Sequence, residues 1–241
     1  MKRLGVNIDH IATIRNARGE KHPDPLFASK FVTKYGADSV TIHLREDRRH
    51  INDNDTLDIC NQKNILVNLE ISMNSEIVKK AIKISPNYIC IVPENRKEVT
   101  TEGGLNLKRS EKKLSSIIKR FKQKNIRTSL FIDANISDIY LSKKLDVNCI
   151  EIHTGKLANL VKAKKKYQKE FLRIKKCAQL AKKLGIEVHA GHGLDYKVTK
   201  LLCKIKEIRE FNIGHFIIGE SVFDGLPKVI KKFKKIIRNN L

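Results

Sequence analysis

The sequence predicts an α/β fold, a closed (β/α)8 barrel of the TIM-barrel class with extra short helices. Three observations carry that expectation. Short apolar or β-branched runs alternate with longer amphipathic ones eight times along 241 residues, and repetition of that order favours a closed parallel barrel over an open sheet. The length suits one barrel domain, residues 1–241, and no linker or low-complexity segment divides it. Run after run then ends abruptly in Glu, His, Asp or Arg, as in TIHLRED, LVNLE, EIHTG and HAGHGL. The C-terminal ends of barrel strands are where such folds place their chemistry.

Taken in order, LGVNI is the first strand. Asp9 to Pro23 is read as a long loop after it, and NIDHIATIRNARG runs from the strand end into that loop; Arg15 and Arg18, three apart, can share a face over a phosphate, the alternative being a satisfied surface loop. Asp24 ahead of Pro25 starts a helix to Tyr35, and YGAD supplies the exit glycine. SVTIH ends at His43, with Arg45 two residues on and projecting to the same side. His50 lies beyond a charged turn, and the cluster reads alternatively as a solvated charge run. Thr56 to Gln62 is the weakest helix.

ILVNLE ends in Glu70, whose carboxylate is costly to bury unless it is hydrogen-bonded or protonated. That environment suits a general acid or base, and equally a buried salt bridge. A helix from Ser75 to Ile84, begun by Asn74 or Ser75, leads to YICIV and a second long segment, Pro93 to Leu107. Its VTTEGGL, with Thr100, reads as a polar loop able to close over a ligand. The helix Lys108 to Gln123, the strand RTSLFI and the helix Ser137 to Leu145 precede NCIEIH, where Glu151 poses the same question as Glu70, two residues before His153.

The helix Phe171 to Leu184 leaves through KLGIE into IEVHA. Gly191 and Gly193 flank His192, so backbone can approach a ligand there. His189 and His192 have a spacing that also binds metal, but no matching Cys or His set accompanies them and no metal is expected. After the helix Tyr196 to Lys204, EFNI runs into Gly214 and His215 at the start of a short helix, and Pro227 to Arg238 forms the last helix. Backbone N–H groups after strands seven and eight form the common phosphate site of barrel enzymes.

Composition narrows the function classes. The net charge of +23 suggests anionic partners. Yet the lysines are spread over the helical segments with apolar residues between them, and no helix-turn-helix, zinc finger or aromatic-stacking strand is visible, so nucleic acid is not an expected partner. No run of about 18 apolar residues is present, so no membrane contact is expected. MKRLGVNIDH lacks the apolar core of a signal peptide, and a cytoplasmic protein is expected. The five cysteines are scattered and never form CxxC, which points to reduced thiols.

With these segments assembled, the chain resembles the pyridoxine 5'-phosphate synthase family of the deoxyxylulose-dependent vitamin B6 pathway. GVNIDHIATIRNARG, TIHLREDRRHI, NLE, VPE with EVTTEGGL, SLFIDA, IEIHTG, AGHGL and NIGH match it in order over essentially the whole chain. The resemblance implies a barrel enzyme that condenses 3-amino-2-oxopropyl phosphate with 1-deoxy-D-xylulose 5-phosphate. It implies neither metal nor organic cofactor, and a homo-octamer. By motif, Asn7, Arg18, Gly193, Gly214 and His215 would hold the amino-ketone phosphate, and Asp9, His10, Arg45, His50 and Thr100 the deoxyxylulose phosphate. His43 and Glu70 would accept protons, His192 would donate one, and Glu151 would stabilise a transition state. The readings that compete are another sugar-phosphate barrel enzyme, such as a lyase or isomerase, and a binding protein whose basic surface engages nucleic acid.

Overall fold

The computed structural model of the chain describes residues 1–94 and 103–239. Eight parallel strands close in chain order: β1 (Arg3–Asn7), β2 (Ser39–His43), β3 (Val67–Ile71), β4 (Tyr88–Ile91), β5 (Arg127–Ile132), β6 (Cys149–His153), β7 (Glu187–Gly191) and β8 (Ile208–Ile213), with β8 pairing back onto β1. Around them lie α1 (Asp9–Arg18), α2 (Pro25–Lys34), α3 (Asp53–Cys60), α4 (Ser75–Ile84), α5 (Leu107–Gln123), α6 (Ile136–Lys144), α7 (Gly155–Lys162), α8 (Gln168–Lys183), α9 (Tyr196–Leu202), α10 (His215–Asp224) and α11 (Leu226–Arg238). Among the described residues, no helix is long and apolar enough to cross a membrane.

Local chemistry sets the helix starts. Asp24 accepts from the amides of Leu26 and Phe27 to cap α2, with Pro25 in the first turn. Asn52 and Asp55 form a reciprocal capping box on α3, and Asn74 caps α4 through the amide of Glu76. Gly36 and Gly185 take the left-handed backbone that ends the helices before them.

Two segments differ from the sequence-based expectation. Asp9 to Pro23 is not a loop throughout, because α1 occupies its first ten residues and buries Ala12 and Arg15. A further helix, α7, follows β6 directly and buries Leu157, Ala158 and Val161.

The strands bury both faces, in different ways. Val40, Ile42, Leu69, Ile150, Ile152 and Phe211 belong to one apolar core with helix residues such as Val32, Ile59, Ala81 and Phe233. Toward the barrel axis the lining is polar: Asn68 Nδ2 donates to Thr41 Oγ1 at 3.4 Å, Thr41 Oγ1 to Asn212 Oδ1 at 3.4 Å, and Asn212 Nδ2 to Glu151 Oε2 at 2.6 Å. At the opposite end from the loops that follow the strands, Arg3 pairs with Glu210 and Glu187, while Arg127 and His189 also bond Glu187. His189 therefore serves this ionic floor through Glu187 and Glu210. Register then pairs His43 with Glu70 at the strand ends and Glu151 with His189 midway along β6 and β7.

Candidate active site

A cavity of about 350 Å³ opens at the C-terminal end of the barrel. Its wall includes Asn7, Asp9, His10, His43, Arg45, His50, Glu70, Glu151, His192, Gly193, Gly214 and His215. Among the described residues, Arg18 is the expected site residue absent from that wall. Thr100 lies outside the described residues. Arg18 is at the far end of α1, with 78% of its side chain exposed and Glu20 3.8 Å away. The paired-arginine reading also fails for Arg15, whose guanidinium is committed in bidentate fashion to Asp55 at 2.5 and 2.8 Å.

On the side of β1 and β2, Asp9 is the organising group. Its amide and one carboxylate oxygen bond the side chain of Asn7, both at 2.9 Å, and its other oxygen accepts the amide of His43 at 2.8 Å. Thr13 Oγ1 lies 2.7 Å from His50 Nδ1, and the ring of His10 meets those of His50 and His215 edge-on. Burial lowers the pKa of His10 and of His50, with His215 and His10 respectively adding to the effect, so both are neutral at pH 7 in the free site.

The opposite wall uses absent side chains. At Gly191 a Cβ would fall 1.9 Å from Glu151 Oε1, and at Gly155 one would fall 2.7 Å from His153 Nε2 and from the His192 ring. His192 itself holds a left-handed backbone with φ 74°, unusual for a residue with a side chain. The Thr154 hydroxyl holds that turn through the carbonyls of Gly191 and His192, at 2.8 and 2.7 Å. Helices α7 and α10 begin at the cavity wall with no side-chain cap, so their first amides are available to an anion.

Electrostatics separate the acids from the bases. Burial, reinforced by Glu151 and Asp9, pushes Glu70 well above the usual carboxylate range, which favours its protonated form. Burial also raises Glu151 to about 7, against the opposing pull of His189 and the Asn212 hydrogen bond. Burial and then His153 depress His192 to about 4. Asp9, His43 and Glu70 bring donor atoms within 4.8 Å of one another.

Sequence reasoning missed four polar neighbours, one of them Asn212, which lines the cavity and bonds Glu151. Asn159 and Lys162 of α7 reach the cavity wall; Lys162 was hidden in a lysine-rich stretch whose other members face solvent. Glu94 follows β4 and places its carboxylate beside both His43 and Arg45. Its signal was present in VPE, a strand end closing on an acid like the others.

Among known proteins, a relative from Pelagibacter ubique called pyridoxine 5'-phosphate synthase is 65% identical over 236 residues, covering 98% of this chain and 99% of the relative. One of the same name from Sulfurihydrogenibium is 48% identical over 240 residues, covering 98% of each. In three dimensions the chain resembles a native KDPGal structure (TM-score 0.67, 12% identity, 98% of this chain and 95% of that one). It also resembles phosphoribosylanthranilate isomerase from Thermotoga maritima (TM-score 0.60, 12% identity, 99% and 100%), and at such identity these likenesses establish the barrel alone. The profile described as "Pyridoxal phosphate biosynthesis protein PdxJ" matches residues 4–239, and with relatives this similar over their full length, the chain belongs to that family.

Proposed function

We propose that this chain is a pyridoxine 5'-phosphate synthase that condenses 3-amino-2-oxopropyl phosphate with 1-deoxy-D-xylulose 5-phosphate, giving pyridoxine 5'-phosphate, phosphate and water. Residues 1–241 form one catalytic domain in this reading, acting in the cytoplasm as a homo-octamer. The observation that carries it is the convergence on one cavity of the buried Glu70, His43 and His192 with uncapped helix starts suited to phosphate.

Building an aromatic ring from two carbonyl compounds needs repeated proton transfers and the departure of water and one phosphate. Glu70 enters protonated, so it delivers a proton to oxygen first, as a carbinolamine loses water. The carboxylate left behind then accepts one from carbon, with His43 alongside. His192 enters neutral, and a bound phosphate dianion beside it favours the imidazolium, which is how a proton donor is charged only when substrate is present. Glu151, held by Asn212, lies deep enough to offset positive charge on an iminium.

The amino-ketone phosphate is assigned to Asn7, Gly193, Gly214 and His215, with Arg18 reaching it from outside the described cavity wall. Deoxyxylulose phosphate is assigned to Asp9, His10, Arg45 and His50, with Thr100. Incubating the purified chain with both substrates should release phosphate and form fluorescent pyridoxine 5'-phosphate. Glu70→Gln should slow turnover about a hundredfold or more with little change in substrate binding. Turnover near that of the wild type would remove Glu70 from this role.

A further inference from the structure

We propose that Glu94 is a positioning residue for His43: its carboxylate accepts a hydrogen bond from Nε2–H and thereby turns Nδ1, as the basic nitrogen, toward Glu70. This rests on the synthase reading and extends it to a residue outside the set assigned there.

The geometry places the His43 ring between two carboxylates. Glu70 Oε2 is 3.7 Å from Nδ1, and Glu94 Oε2 is 3.7 Å from Nε2. The side chains of His43 and Glu94 are 5% and 2% exposed. Neither His43 Nε2 nor Glu94 Oε2 has a hydrogen-bond partner among the described residues. Two unmet buried polar atoms therefore face each other across a gap slightly longer than a hydrogen bond. Catalytic hydrogen bonds in free sites are often long and tighten in the substrate complex.

Glu94 is held for this task. Its Oε1 accepts the Glu46 amide at 2.9 Å and lies 3.8 Å from Arg45 Nε, and Ser72 Oγ braces Glu46 at 2.8 Å. Besides these, the backbone amide of His43 is fixed by Asp9.

Protonation decides the tautomer. Burial alone would raise Glu94, but His43, the Glu46 amide and Arg45 outweigh it and keep it an ionised acceptor. Burial biases Glu70 toward its protonated form, and in that form its O–H can serve only a nitrogen bearing a lone pair, here Nδ1 at 3.7 Å. One neutral tautomer meets both neighbours: Nε2–H toward Glu94 and a bare Nδ1 toward Glu70. When the Glu70 proton moves to Nδ1, the Glu70 carboxylate is freed to act as base and the imidazolium is balanced by Glu94. When the proton returns, the starting state is restored. This is the orienting role of the third group behind a general base.

The test uses the full chain labelled with nitrogen-15 histidine, with the His43 signals assigned by their loss in a His43→Asn variant. The wild type should show Nε2–H. Glu94→Gln presents an amide donor to Nε2 and should shift His43 toward Nδ1–H. It should also lower kcat about tenfold to a hundredfold, with KM for both substrates within about threefold. Glu94→Asp should retain the wild-type tautomer and more activity than the amide. An Nδ1–H wild type overturns the proposal without recourse to any variant. So does an unchanged tautomer in Glu94→Gln, or a rise confined to KM for deoxyxylulose phosphate, which would make Glu94 a brace for Arg45 alone. A wild-type chain that forms no product would overturn the synthase reading, while the tautomer measurement would still decide the role of Glu94.

Discussion

Glu151 shows how burial and neighbours share control of one side chain. Its pKa is raised from 4.5 to about 7, so the fold prefers the protonated form. The resulting stabilisation is complete below about pH 4.5 and is lost as pH rises through about 7, where ionising the buried acid costs about 3 kcal/mol. Glu151→Gln keeps an acceptor for Asn212 and cannot ionise. Denaturant unfolding should find this variant more stable than wild type by about 1–3 kcal/mol at pH 8, with no such gain at pH 4. An equal difference at both pH values would show that ionisation is not the cause. The position of Glu151 was legible in CIEIH, as an acid among apolar residues; its hydrogen bond from Asn212 was not, because those residues are 61 apart in the chain.

At the scale of elements, the alternation of runs made all eight strands readable, because strands buried on both sides combine apolar outer faces with a few polar inner residues. The helices that escaped were α1 and α7, which start at strand ends without a side-chain cap. Their chemistry serves the cavity, so the usual start signal is missing, and DHIATIRNAR looks like a polar loop until one sees Arg15 turned inward. That arginine fastens α1 to α3 through Asp55, which also completes the α3 capping box. Arg15→Ala leaves a largely buried carboxylate without its cation, and stability should fall by about 2–4 kcal/mol. Because α1 carries His10 and Thr13, which touches His50, turnover should fall with it. Calorimetry on Arg15→Ala gives the first quantity; a loss below about 0.5 kcal/mol would mean that α1 is held by its other contacts.

For the whole molecule, charge opposes the proposed assembly. Each chain carries +23, with 49 lysines and arginines against 26 acids. Most of that surplus stands on outer helical faces, as on α11, where Val229, Ile230, Phe233 and Ile237 are buried beneath the lysines. Yet Val222 and Phe223 at the end of α10 are 73% and 89% exposed, and Tyr140 on α6 is 55% exposed. Large apolar side chains left so open are surface that another copy can cover. An octamer concentrates eight such charges, and its contacts must outweigh a repulsion that salt screens over about 10 Å at 0.1 M. The proposed homo-octamer should therefore gain over smaller species as salt rises from about 0.01 to 0.3 M, the reverse of an assembly held by ion pairs. Sedimentation velocity across that range reads the distribution directly. Phe223→Lys should shift it toward smaller species at every salt concentration if α10 lies in a contact. A single monomeric species at all concentrations would set the octamer aside and leave the exposed apolar side chains as an uncovered part of the surface.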